Sequence, residues 1–531
     1  MDNGVAGRNS NPAYVLDGLQ SYALEEVRLT RGGTLRWLPP APGTNVSVVS
    51  VGRLSGDSSG TLMVDARVTM LLSSHPMWQL PGAGELELPV IDASLSSSNN
   101  DGASASMWSV TQQRWFGVDT SGLAFSNASV TVSAGGVLVT PPSMLLSGNN
   151  TLTVAGVLQG LRDVSIGTNG SLVVSGSIPG LRDVTLLGAG SGVQLTSSGS
   201  AMGGDPTYAG DGSGMNMSAG VYTLRYVSVA PGSNLTIGAG VRVRATNVSI
   251  ASTAPGMSLG NNSQLDVLDV LALRNGSRVS VSGSVRVSSG EAVFETGSVV
   301  TGVGAGYASD TGPGSYAVSA SGGAHAGCGG QGGCSTSPIA TSNKAYGSVF
   351  APSMMGSGGY SYYSYAGGAG GGALRLTVSG SARLDGTIDM SAAPTATTTA
   401  GGGGAGGSVW VSVGTLASSS GLLQANGGHG YSGYNAHGGS GGRIALTCGA
   451  HSYASSSWGD WGLRFSTTGG SQWNGAAYIA PYAAPGTVYV NCGSRNHTLW
   501  VDNGVAGRNS NPAYVLDGLQ SYALEEVRLT R

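Results

Sequence analysis

The heptapeptide Gly160-Leu-Arg-Asp-Val-Ser-Ile166 returns 20 residues on as Gly180-Leu-Arg-Asp-Val-Thr-Leu186. Short alternating segments surround it: SLVVS over Ser171–Ser175, VRVRATNVSI over Val241–Ile250 and RVSVSGSVRV over Arg278–Val287. In the last, Val279, Val281, Val285 and Val287 share one face while Arg278, Ser280 and Arg286 share the other, the period of a strand. Gly or Asn-Gly interrupts the strands at Gly167, Asn169-Gly170, 188–192, 238–240 and Asn275-Gly276, residue types that turn a chain at little steric cost. Short strands, glycine corners and this period predict stacked coils. Each strand then pairs with the coils before and after it, about 4.8 Å away, and small apolar side chains stack in rows. A coil of about 20 to 24 residues is expected. A string of β-sandwiches is the competing fold, but it wants large core residues, and five Phe and nine Trp supply them thinly. The expected class is all-β, a right-handed parallel β-solenoid with glycine-rich loops.

Composition agrees and excludes other classes. Of 531 residues 92 are Gly, only 10% are charged and 40% are apolar, which is not a disordered polyelectrolyte. The Gly has no three-residue period along the chain, so collagen is excluded. No apolar run approaches the 18 residues of a membrane-spanning helix. With a net charge of −3 and no basic stripe visible in the sequence, nucleic acid is not an expected partner.

A larger repeat frames the chain. The thirty residues Asp2–Arg31 recur identically as Asp502–Arg531. Three explanations compete: one period of a tandem array of near-identical modules, an engineered overlap, or a self-association device. The first is preferred, because repeat units contact only their neighbours and one period keeps its structure. The segment 1–31 then opens a module and is duplicated at 502–531. Residues 32–301 form coils with insertions, 302–490 a glycine-rich segment, and 491–531 the junction with the next module. Leu16, Leu19, Ala23 and Val27 lie at near-helical spacing and suggest a short helix before a strand at Val27–Leu29.

From Gly302 the glycine clusters thicken: GGAHAGCGGQGGC from Gly322, GGAGGGALRLTVSG from Gly367, GGGGAGGSVWVSVGTL from Gly401 and GGSGGRIALTC from Gly438. All but the first run straight into an alternating strand, unlike a flexible spacer. They are expected to lie flat over the ends or corners of the coils. Their order, with YGSVFAP at Tyr346, LDGTIDMSA at Leu384, GTVYV at Gly486 and TLWVDNG at Thr498, resembles a glycine-rich parallel β-helix module of very large secreted and cell-surface proteins. The resemblance implies an extracellular, non-enzymatic, structural or adhesive role, with neighbouring copies of the module as partners, and it supplies no catalytic residue, metal or cofactor.

Read residue by residue, chemistry is sparse. An even cysteine count in a secreted context suggests two disulfides, most simply Cys328–Cys334 and Cys448–Cys492; no zinc-type pairing occurs. Sequons begin at Asn45, Asn127, Asn149, Asn169, Asn216, Asn234, Asn247, Asn261, Asn275 and Asn496, against the plain alternative of chance in a Ser- and Thr-rich chain. Tyr360, Tyr362, Tyr363 and Tyr365, with Tyr431 and Tyr434, form the one aromatic concentration: either an adhesive patch for glycans or surfaces, or tyrosines stacked over glycine backbone. Glu85 and Glu87 would share a strand face, and Asp385 and Asp389 lie too far apart to act as a pair, so a polysaccharide lyase or hydrolase is the least favoured class. His325, His429 and His437 could meet across coils, with loop hydrogen bonding preferred to metal binding. Repeated Arg162-Asp163 and Arg182-Asp183 suggest a surface charge ladder.

Overall fold

The computed structural model describes strands alone up to residue 142, and side chains only from Met144 onward. Beyond residue 142 it describes most of the chain; the longest gaps are 197–206, 331–343, 503–512 and 514–523. Every regular element described is a strand, and most pairings are parallel. The chain forms two compact units, Met1–Thr236 and Ile237–Arg531.

In the first unit short strands pair in parallel at steps close to the predicted 20 to 24 residues. Ser106–Val110, Ala128–Val132, Thr151–Val154, Ser171–Val174, Gly192–Leu195 and Gly214–Met217 pair successively in parallel. Leu152 sits over Leu172, then Val193, then Met215, and Val154 over Val174, Leu195 and Met217. All eight are buried, while the residues between them are partly or fully exposed, because successive side chains of a strand point to opposite faces. The two heptapeptides pair in this way, Val164 with Val184 and Ile166 with Leu186, which also stacks Asp163 on Asp183; Arg182 is outside the described residues. Nearer the start, the strand Ile91–Leu95 is antiparallel both to Gly60–Val64 and to Ser106–Val110, so parallel stacking is interrupted there.

One local expectation fails. Ser21–Leu29, which holds Ala23 and Val27, is a nine-residue strand paired in parallel with Ser47–Gly56. A spacing that also suits a helix yields to strand pairing with a β-branched partner run (Val48, Val49, Val51).

In the second unit, coils of two lengths share one core. Val243, Leu265 and Val287 follow one another in register at 22-residue steps. The next partner of Val287 is Leu376, 89 residues on; then Val411 and Leu446 at steps of 35, and Val490 after 44. A second row runs Met257, Val279, Val300, Ile388, Leu423, Phe465. The expected 20 to 24 residues per coil therefore hold only before the glycine-rich region. Each longer coil leaves after the second-row strand and returns at the strand of the first row, with the glycine-rich residues between.

Candidate functional site

Those intervening residues are not loops lying over the coils, as the composition suggested. Gly402–Gly407, Gly438–Gly442, Gly356–Gly359 and Gly370–Gly372 are buried. Their hydrogen bonds recur every three residues. The amides of Gly402 and Ala405 donate to Tyr360 and Ser357, those of Gly403 and Gly406 to His437 and Ser440, and those of Gly368 and Gly371 to Gly402 and Ala405. His437 and Ser440 in turn donate to Ala320 and Gly323, and Gly439 and Gly442 to Gly428 and Ala425. Three residues per turn is the period of polyproline II, a conformation with no internal hydrogen bonds. Its buried amides must find partners on neighbouring segments. They do so here by packing side by side, backbone against backbone.

Glycine is required by space. A Cβ on Gly402 would overlap the carbonyl oxygen of Ser321, on Gly403 that of Gly428, on Gly404 that of Ala369, on Gly406 that of Ala425, and on Gly407 that of Gly372. Five of the six positions from Gly402 to Gly407, all but Ala405, are thus closed by carbonyls of neighbouring segments. A flexible linker and this bundle have the same local composition; what separates them is the set of partner segments far along the chain.

A polar anchor lies at the base of the bundle. The segment 344–358 covers the outer face of the long-coil strands: Ser408 Oγ donates to the Met354 carbonyl at 2.6 Å and Arg443 Nε–H to that of Tyr346 at 3.0 Å. Arg443 is fully buried and also donates to Thr487 Oγ1. Val349 packs with Ala445, Tyr489 and Leu499, and Phe350 meets Tyr489 edge-on. Tyr346 stacks on His325 at 4.6 Å and donates its hydroxyl to the Met355 carbonyl. His325 is wholly buried; since a carbonyl only accepts, its Nδ1 carries the proton given to Gly406 O at 2.7 Å, and among the described residues Nε2 has no partner. Desolvation, helped by the nearby Arg443 charge, pushes the imidazole down to about 3, so it stays neutral.

The three glycine-region histidines do separate jobs. His429 Nδ1 accepts from the Ser471 amide, and burial holds His437 below its ordinary value. Among the described residues no three His, Cys, Asp or Glu side chains converge on a metal-sized site. Asp385 accepts from Ser420 and pairs with Arg383, while Asp389 accepts from Gln424 and the Ser391 amide. Glu87 lies in a two-residue strand, and Glu85 is outside the described residues.

Cys448 and Cys492, register partners on adjacent strands, form a disulfide. Cys328 is also disulfide-bonded; Cys334 lies outside the described residues. No helix among the described residues is long and apolar enough to cross a membrane.

Of the tyrosines, Tyr362 and Tyr365 exchange backbone hydrogen bonds at 2.9 Å across a tight turn. The tip residue Tyr363 is 86% exposed, has a φ of 49° and meets Tyr362 edge-on, while Tyr365 is exposed and Tyr360 half-buried. A bulky residue at positive φ is uncommon and costs about 1–2 kcal/mol. Tyr431 lies in the strand Gly430–Tyr431, its side chain not described, and Tyr434 is outside the described residues.

The sequon asparagines divide similarly. Asn169, Asn216, Asn261 and Asn275 are exposed and Asn234 and Asn247 half-buried. Asn496 lies in the strand Arg495–Asp502, its side chain not described, and Asn45, Asn127 and Asn149 are outside the described residues. A second use went unread in the sequence. Asn261 Oδ1 accepts from the Ser284 amide and Asn247 Oδ1 from that of Val270, each one coil along. A glycan is carried on Nδ2, so this bridging leaves the attachment atom available. No family model, curated protein or solved structure matches the chain.

Proposed function

We propose that this chain is one period of a tandem array: a right-handed parallel β-solenoid module of a giant extracellular protein, non-catalytic, serving as a rod, filament or surface coat. One observation carries the reading. The duplicated segment pairs in opposite directions along the chain in its two copies. In the first, Glu26, Val27, Arg28 and Leu29 pair in parallel with Arg53, Leu54, Ser55 and Gly56, which follow them. In the second, Glu526, Val527, Arg528 and Leu529 pair in parallel with Thr498, Leu499, Trp500 and Val501, which precede them. A module inside an array satisfies both pairings with one strand. In the second copy Val527 and Leu529 are 55% and 75% exposed, apolar surface that a following coil would cover. The disulfide-bonded Cys328, Cys448 and Cys492 support an oxidising compartment.

A chain in which residues 32–531 are appended after Arg531 tests this. One elongated particle in electron micrographs, with slowed amide exchange at Val527 and Leu529, is expected; two compact particles on a slack tether with unchanged exchange would refute it. The exposed tip at Tyr363 favours adhesion as the second reading. Ser in place of Tyr360, Tyr362, Tyr363 and Tyr365 should then abolish attachment to surfaces, and attachment left intact removes that reading.

A further inference from the structure

The stacking assembles a basic row that the linear sequence conceals. Outward-facing positions of successive coils place Gln264 beside Arg286, Arg286 beside Arg375, and Arg375 beside Trp410. The two arginines lie 89 residues apart in the chain yet on neighbouring strands, about 4.8 Å from backbone to backbone. Arg286 is exposed and Arg375 half-buried. The Arg375 guanidinium lies 4.0 Å from the centroid of the Trp410 ring, and Trp410 is held from behind by the cluster around Val349. That contact holds the planar guanidinium against the ring face, the arrangement in which its N–H edges point sideways.

Three other arginines of the same unit are charge-compensated. Arg242 pairs with Asp266 at 2.8 Å, Arg274 with Glu295 at 2.9 Å and Arg383 with Asp385 at 2.6 Å. Among the described residues neither Arg286 nor Arg375 has an ion-pair partner. Like charges on adjacent strands repel, a cost that ordinary surface composition would relieve with one carboxylate.

We propose that Arg286 and Arg375, backed by Trp410, form a binding site for an extended polysaccharide carrying carboxylate or sulfate groups. Guanidinium groups take such anions through paired N–H bonds. Two positive charges one strand apart suit a chain with an anion on each sugar or each disaccharide, running along the row with a step close to one pyranose. Nucleic acid fits poorly. A duplex carries a charge about every 1.7 Å and binds through many phosphate contacts, whereas this row offers two uncompensated cations in a protein of net charge −3. The proposal rests on one face of the second unit and stands apart from the tandem-array reading.

The experiment measures binding of the full chain to heparin, polygalacturonate, neutral dextran and double-stranded DNA at low salt. Heparin or polygalacturonate should bind and dextran should not. The double substitution Arg286→Ala with Arg375→Ala should weaken binding by about tenfold or more and flatten its salt dependence by about one unit per arginine removed. Arg383→Ala, whose partner is Asp385, should bind as the parent does, and a thermal melt of each variant separates lost binding from lost fold. Arg375→Lys keeps the charge but not the planar fork, and should fall between parent and double variant. Undiminished binding by a folded double variant, no binding of either acidic polymer, or DNA bound as tightly as the polysaccharides would each overturn the assignment.

Discussion

The short and long coils of the second unit solve the same problem with opposite materials. Between Val243 and Val287 each coil closes in 22 residues, and its interior is filled by Val, Leu and Met side chains in register. Between Leu376 and Leu446 the same strands persist, but each coil takes 35 residues and the additional ones bury backbone against backbone. Side-chain rows tolerate a change of one apolar residue for another at modest cost. A lattice of glycine carbonyls and amides has nothing to trim and no room to add to. The long coils should therefore be the more brittle part.

Alanine substitution tests that contrast most directly. Gly406→Ala sets a methyl against the Ala425 carbonyl and the Gly442 amide, backbone atoms that cannot rotate away. Destabilisation above about 4 kcal/mol is expected, at the severe end for single substitutions. Gly240→Ala, at a short-coil turn with φ 71° and open space around it, should cost only about 1–2 kcal/mol for the left-handed backbone. Equal losses in urea unfolding would show that the bundle yields as easily as a turn.

Next in size is the covalent tie of the long coils. Cys448 and Cys492 are separated by 44 positions in the chain, and replacing both by Ser should lower stability by about 4 kcal/mol in the chain-entropy account. A denaturation midpoint unchanged by reductant would refute it.

Acid should then loosen the long coils before the short ones. The unfolded chain protonates His325 near its ordinary value of 6.5, whereas the folded chain resists until about 3. Stability is complete above 6.5 and falls as pH drops through that window, because the unfolded state holds the additional proton. His437 shifts in the same direction. A His325→Phe variant should unfold with a shallower pH dependence between 6.5 and 3, the tyrosine stack being retained; an identical slope would contradict the account.

The smallest effect is expected at the turn tip. Tyr363→Gly should raise stability by about 1 kcal/mol by relieving the positive φ. A neutral or negative change would mean that the Tyr362–Tyr363 contact repays the strain.

The short coils were legible because their signal is local: the Gly160 and Gly180 heptapeptides pair as their spacing implies. The glycine bundle was not, since the partners of Gly402–Gly407 come from around residues 321, 357, 369, 390, 425 and 438, and no window of sequence holds them together. The arginine row was hidden for the same reason, by the long excursion between Arg286 and Arg375. Asn247 and Asn261 read as sequons, although each also fastens one coil to the next. Ser21–Leu29 misled because its apolar spacing suits two periods, and only the partner strand decides between them.

The bundle also changes how the molecule should answer to pulling. Stacked strands are tied along a single direction, from coil to coil, and a load along that axis is met by every rung in series. The glycine segments are tied sideways to several neighbours at once, so a shear applied from any side meets bonds already aligned against it. In a protein under flow or tension, the glycine bundle would be the part that yields least.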